Sequence, residues 1–181
     1  MPWFTKPYAD FVQRLRVPIG FVLVAAFAYW SSPTESSIEW GAPISVAGLL
    51  LRGWAAGHLA KNQSLAVSGP YAFTRNPLYV GTLLVAFGLV IASRELALAA
   101  LFAAAFGLVY LPAIELEEQH LRKLFLDYAA YARRVPKLFP RLTPAGGSKN
   151  FRFSLYRRNR EYEALGGFLI GLAVLIYKTI R

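Results

Sequence analysis

The chain has 181 residues, 56% of them hydrophobic, with a mean hydropathy of +0.39 and a formal net charge of +10. A soluble domain is about 45–50% apolar; here the excess falls in blocks, which excludes an ordinary soluble domain and predicts one integral membrane helical bundle. The absence of cysteine excludes a disulfide scaffold, a cysteine nucleophile and thiolate metal sites, and two histidines, His58 and His120, argue against a histidine-rich metal centre.

Met1 to Arg16 places Phe4, Tyr8, Phe11, Val12 and Leu15 at helical spacing opposite Lys6, Asp10, Arg14 and Arg16. This predicts an amphipathic helix lying in the membrane interface. Val17 to Trp30 is the first apolar run, and it makes a full span only with the end of the preceding helix. Ser31 to Trp40 reads as a polar turn. The second run extends from about Gly41 to Leu59 and contains Arg52. An intramembrane Arg is a functional candidate, but Arg52 is near the end of its run and snorkelling to the headgroups is the favoured reading.

Lys61 to Asn76 is a polar link. Pro77 to Ser93 is the third run, and Arg94-Glu95 forms a tight hairpin into the fourth, Leu96 to Ile114. Pro112 should kink or end that run. An acidic cluster, Glu115, Glu117 and Glu118, follows directly against the membrane. Leu121, Leu124, Phe125, Tyr128 and Tyr131 then predict one cytosolic amphipathic helix, closed by the basic loop Arg133 to Pro140. Ala145-Gly146-Gly147-Ser148 reads as a flexible joint. Residues 1–148 thus form the core, and 149–181 a basic interfacial segment with a last apolar helix from Ala164 to Ile180. In that segment Arg152, Arg157, Arg158 and Arg160 alternate with Phe151, Phe153 and Tyr156, a pattern suited to anionic lipid. Nucleic acid is a distant second partner for this charge.

The predicted architecture is therefore all-α, with about five transmembrane helices plus interfacial amphipathic helices. With the N-terminus inside, the inner segments hold sixteen Lys and Arg and the outer ones three, Arg94, Lys178 and Arg181. That bias predicts a cytoplasmic N-terminus.

The chemistry concentrates in two stretches on that side. In Gly69-Pro70-Tyr71-Ala72-Phe73-Thr74-Arg75-Asn76-Pro77-Leu78-Tyr79-Val80-Gly81, Gly69-Pro70 marks a turn. Asn76 reads as an N-cap and Pro77 as the first helical residue. Arg75, Tyr71 and Tyr79 then stand beside a helix N-terminus that can receive an anionic group. A well-capped helix with an interfacial Arg and two belt tyrosines would look the same. The second stretch is the acidic cluster, whose crowded carboxylates are costly without a partner; an acidic helix start would also account for it. Together the stretches offer a basic site and an acidic one, as a zwitterionic amino-acid group requires.

Arg75-Asn76-Pro77-Leu78-Tyr79-Val80-Gly81 resembles the Arg-(His/Asn)-Pro-x-Tyr-x-Gly motif of the isoprenylcysteine carboxyl methyltransferases and the related phospholipid N-methyltransferases. Gly69-Pro70-Tyr71 stands at its usual place before it. Glu117-Glu118-Gln119-His120-Leu121, Phe125, Tyr128, Tyr131 and Arg134-Val135-Pro136 resemble that family's second signature. The likeness covers roughly residues 45–142. Leu126 replaces the usual Gly, and Asn62-Gln63 occupies the region where eukaryotic members often carry a cofactor-contacting His.

The resemblance implies S-adenosylmethionine as methyl donor and a lipophilic or lipidated acceptor entering from the bilayer. It implies donor contacts at Asn62, Gly69, Tyr71, Arg75, Asn76, Pro77, Tyr79, Glu117 and Glu118. The donor's ammonium would suit Glu117 or Glu118, its carboxylate Arg75 or the helix N-terminus, and its sulfonium or adenine the two tyrosines. Arg75, Glu118 and Arg134 are the candidate catalytic residues. A carboxylate acceptor needs no base and could be oriented by Arg134, whereas an amine acceptor needs a glutamate as base. An NADPH-dependent sterol-type reductase and a non-enzymatic lipid-binding protein are the competing readings.

Overall fold

The structure is a computed structural model and describes residues 6–181; Phe4 of the predicted interfacial helix lies outside the described residues. Every regular element among the described residues is helical. In chain order these are α1 (Lys6–Trp30), α2 (Glu35–Ala56), a 3-10 turn (Gly69–Ala72), α3 (Pro77–Ser93), α4 (Leu96–Ala105), a π turn (Phe106–Tyr110), α5 (Leu111–Leu124), α6 (Tyr128–Arg134), α7 (Phe153–Arg158) and α8 (Tyr162–Ile180). Among the described residues two stretches, Leu96–Leu124 and Tyr162–Ile180, are long and apolar enough to cross a membrane, and Pro18–Trp30 and Pro77–Ser93 are shorter apolar helices.

Several boundaries differ from the sequence expectation. The interfacial helix and the first apolar run are one continuous helix, α1. Only polarity separates them in the sequence, and a change of polarity does not stop a helix. The polar turn is shorter than expected, because α2 begins at Glu35. Thr34 and Ser37 cap it reciprocally: Thr34 N–H donates to Ser37 Oγ at 2.9 Å, and Ser37 N–H to Thr34 Oγ1 at 3.3 Å. The expected amphipathic helix after the acidic cluster is two helices, α5 and α6, broken across 125–127, where Leu126 is fully exposed.

Pro112 does not end its helix. The chain continues from α4 to α5 through the π turn, in which Leu111 N–H donates to Phe106 O. Proline has no N–H, so the carbonyl four residues earlier, at Leu108, loses its helical donor. The Tyr8 hydroxyl supplies one at 2.8 Å. A side chain from α1 thus satisfies the backbone group that Pro112 leaves open.

The chain divides into two compact units. One runs to Pro43 and includes Ala86–His120 and Ile170–Arg181; the other comprises Ile44–Val85 and Leu121–Leu169. In both, α2 meets α3 through small residues. In the first unit, Ser37 Oγ donates to Ala92 O at 2.8 Å, and a Cβ on Gly41 would lie 2.8 Å from Ala92 N. In the second, Ser45 Oγ donates to Val85 O at 2.8 Å, and a Cβ on Gly48 would lie 2.6 Å from Gly81 O. Small side chains let the backbones touch, and the serine hydroxyls bond across them, as in membrane helix pairs.

The second unit contains the motif stretches. Its core is Tyr128, Tyr131 and Val135, packed on Leu65, Val67, Leu121 and Phe125. Ala145 N–H donates to Ala72 O at 2.9 Å, and Gly146 lies so close to the Val67 carbonyl that no Cβ would fit. The expected flexible joint is therefore anchored at its first two residues; a Cβ on Gly147 would meet open space.

Candidate functional site

The first motif forms as its residues dictate. Ser68 precedes the 3-10 turn, and Gly69 has φ +58°, a conformation that favours glycine. A Cβ at Gly69 would lie 2.6 Å from the His58 ring, whose Nδ1 is 3.1 Å from Ser68 Oγ. Burial pushes the His58 pKa down, so the ring is neutral at pH 7. Trp54 and Phe151 pack edge-on against it, and Phe73 packs on Trp54.

Pro77 is the first residue of α3 and Asn76 stands at the cap position, accepting from Tyr79 and Val80 N–H at 3.1 Å through its carbonyl. Beyond the expected cap position, the Asn76 side chain also reaches the loop after the second signature. Its Nδ2 donates to Lys137 O at 3.0 Å. Thr74, 2% exposed, donates its hydroxyl to the carbonyls of Lys137 and Leu138, both at 3.1 Å. Arg75 N–H donates to Pro136 O at 2.9 Å, and Arg141 N–H to Phe73 O at 3.0 Å.

The two signatures, about sixty residues apart in sequence, are thus laced into one structure through their backbones. The second signature's tyrosines explain their spacing. Tyr128 and Tyr131 lie one turn apart and pack edge to face, with ring centroids 6.0 Å apart. The Tyr131 hydroxyl donates to Tyr71 O at 2.7 Å, and Arg122 lies over the Tyr128 ring. Replacing Tyr131 with Phe keeps the ring and removes this one buried bond. The expected loss is about 1 kcal/mol, read as a fall of roughly 2–4 °C in thermal midpoint for a chain of this size.

Of the residues predicted to bind or catalyse, the second unit gathers Gly69, Tyr71, Arg75, Asn76, Pro77 and Tyr79 around the capped start of α3. Tyr71, Asn76 and Pro77 are buried; Arg75 and Tyr79 are half-buried. Asn62 is exposed with φ +59°, and Arg134 is exposed, its carbonyl accepting from Arg141 Nη1 at 2.8 Å. Glu117 and Glu118 belong to the first unit, on α5. Glu118 is 3% exposed, and Glu117 faces outward.

Arg52 is the main correction. It does not snorkel. Its Nε lies 2.5 Å from Glu161 Oε1, and it donates to the Thr82 hydroxyl and, at 3.3 Å, to Leu78 O. Glu161 belongs to the segment expected to lie on the membrane surface, yet it is 8% exposed. Arg52 follows Gly41, Ser45 and Gly48 along the α2 face that meets α3.

A cavity of about 640 Å³ lies beside this pair, lined mainly by Leu49, Leu50 and Trp54 of α2, by Phe153 and Tyr156 of α7, and by Phe168 of α8. Its walls are apolar except for Glu161. The segment that closes it is stitched to the end of α2. Asn159 Nδ2 donates to Ala56 O and Leu59 O, both at 2.9 Å, and Arg152 N–H to Gly57 O at 3.0 Å. These bonds satisfy carbonyls that a helix end leaves open.

Comparison with known proteins places the first motif and the start of the second within one family. Residues 43–127 match the phospholipid methyltransferase family. The chain is 34% identical over 173 residues to the cobalt-zinc-cadmium resistance protein CzcN of Cupriavidus metallidurans, covering 89% of this chain and 77% of that one. It is 34% identical over 150 residues to the nickel-cobalt-cadmium resistance protein NccN of Alcaligenes xylosoxydans xylosoxydans, covering 76% and 70%. No solved structure matches. The match over residues 43–127 is the one that the signature residues led to expect: the chain belongs to the phospholipid methyltransferase family.

Proposed function

We propose that this protein is a multi-pass membrane methyltransferase that uses S-adenosylmethionine to methylate a lipophilic acceptor, with a carboxylate of the isoprenylcysteine type as the favoured target. The observation that carries the reading is the lacing of the two signatures, which holds Arg75, Asn76 and Tyr79 at a fixed helix start. The residues present fit the donor's chemistry. Arg75 and the positive dipole end of α3 suit a carboxylate, Tyr79 offers a ring face, and the buried Glu118 suits an ammonium.

The bound donor would supply an activated methyl group on a sulfonium. The chain's own task is alignment and exclusion of water. A carboxylate acceptor is already ionised and needs no proton removed, and the apolar cavity beside α2 would take its hydrocarbon part. One observation favours the alternative, a phospholipid amine. The neutral His58 ring packs on motif residue Gly69, and a neutral imidazole can accept the proton that an amine must lose.

Calorimetric titration of purified protein decides among these classes. S-adenosylhomocysteine should bind, while NADPH and, in view of the relatives' names, cobalt or zinc ions should not. Among the described residues no group of three or more His, Asp or Glu could hold a metal ion. Tight NADPH binding without S-adenosylhomocysteine binding would favour a reductase; binding of neither would favour a lipid-binding protein.

The proposed topology has five spans, a cytoplasmic N-terminus and a cytoplasmic site, on the charge bias of sixteen against three. Single cysteines at the exposed Ser32 and Ser148, on this cysteine-free background, should label from opposite sides of intact cells. Labelling of Ser148→Cys from outside would overturn the orientation. The basic segment with Arg152, Arg157 and Arg158 is proposed to rest on anionic lipid.

A further inference from the structure

Neither signature asks for the ion pair between Arg52 and Glu161. Arg52 is on α2, and Glu161 stands just before α8, beyond the residues matched to the family. The two side chains retain only 22% and 8% exposure. From this pair the guanidinium reaches the first turn of α3. It donates to Leu78 O at 3.3 Å and to the Thr82 hydroxyl, which itself donates to Leu78 O at 2.9 Å. Leu78 lies between Pro77 and Tyr79 of the motif. Gly81, which closes the motif, has no side chain where the Arg52 stem passes; a Cβ there would lie 2.5 Å from Arg52 Cγ.

Stability alone is a poor reason for this arrangement. Desolvating two charges is costly, and apolar replacements of similar volume are often neutral or stabilising. What the charges provide is direction: a planar fork whose donors fix three acceptors at once. The acceptors are a carboxylate from the carboxy-terminal segment, a hydroxyl of α3 and a carbonyl of the motif itself.

We infer that Arg52 and Glu161 are a positioning pair that holds the first turn of α3, and with it Arg75, Asn76 and Tyr79, in the geometry that receives the methyl donor. The segment after Lys149 is then a working part of the methyltransferase and not an appended anchor. This rests on the methyltransferase reading above. The pair acts through Leu78 and Thr82 and has no assigned contact with the donor.

The test removes both charges together, Arg52→Met with Glu161→Leu, so that no uncompensated charge stays buried. Three quantities are read on the full chain in detergent: thermal midpoint, backbone hydrogen exchange over 77–85, and S-adenosylhomocysteine affinity. The expected result is a midpoint within a few degrees of the parent, exchange in the first turn at least about tenfold faster, and affinity at least about tenfold weaker. A folded paired variant with unchanged exchange or unchanged affinity overturns the inference. If the paired variant does not fold, Thr82→Val cuts one tie without touching a charge. It should shift exchange and affinity in the same direction by a smaller factor, and no shift overturns the inference. A parent that fails to bind S-adenosylhomocysteine defeats the methyltransferase reading instead. Exchange, read without ligand, then still decides whether the pair holds the turn.

Discussion

Glu118→Gln should weaken S-adenosylhomocysteine binding about 10- to 100-fold while leaving the fold in place. The substitution keeps the shape and hydrogen-bonding reach of the side chain and removes its charge. A charge-assisted hydrogen bond to an ammonium contributes roughly 1.5–3 kcal/mol, and each 1.4 kcal/mol is about a factor of ten. The two neighbouring carboxylates differ sharply: Glu118 is 3% exposed, and Glu117 is turned outward. Successive residues on a helix point about 100° apart, so they cannot share one direction. Glu117→Gln is therefore the control and should bind nearly as the parent does. Calorimetry on both variants separates the roles. Parent-like affinity in Glu118→Gln would make the buried carboxylate structural and remove the acidic half of the proposed donor site.

Gly48→Leu should cost stability outright, by about 3 kcal/mol or more. The missing Cβ of Gly48 faces Gly81 O at 2.6 Å and Val85 N at 2.7 Å, both backbone atoms that cannot rotate away. A leucine there must push α3 off α2 or distort one of them. The Ser45 hydroxyl bond to Val85 O lies one turn away and would be strained with it. Thermal unfolding in detergent reads the loss, expected at roughly 6–12 °C for a chain of this size. Gly20→Leu, where a Cβ meets open space, is the matched control and should change little.

That seam illustrates what the sequence made legible. Apolar runs announced α3, α4 and α8 because their hydrophobicity is continuous. Asn76-Pro77 announced the start of α3 because a cap and a proline act locally. The contact between α2 and α3 gave no such signal, since Gly41, Ser45 and Gly48 matter only through what faces them. Arg52 was misread for the same reason: its partner, Glu161, is 109 residues away and looked like part of a charged surface. Thr74 passed unremarked because its value lies in two carbonyls contributed by 137 and 138. The signatures were visible as strings, but their backbone lacing was not, because a side-chain motif says nothing of which carbonyl a hydroxyl will find.

The π turn at Phe106–Tyr110 has a consequence for the acidic cluster that follows it. A turn of this kind absorbs one residue without advancing the helix by the usual 100°. Everything downstream is therefore rephased by one position relative to an uninterrupted α-helix. In a regular helix from Leu96 to Leu124, Glu117 would point where Glu118 now points. The choice between two adjacent glutamates, chemically identical and equally plausible as ligands, is made two turns upstream by a local slackening of the backbone that Pro112 and the Tyr8 hydroxyl help to sustain. The widened turn works as a phase shifter, deciding which carboxylate is buried and which is left facing outward.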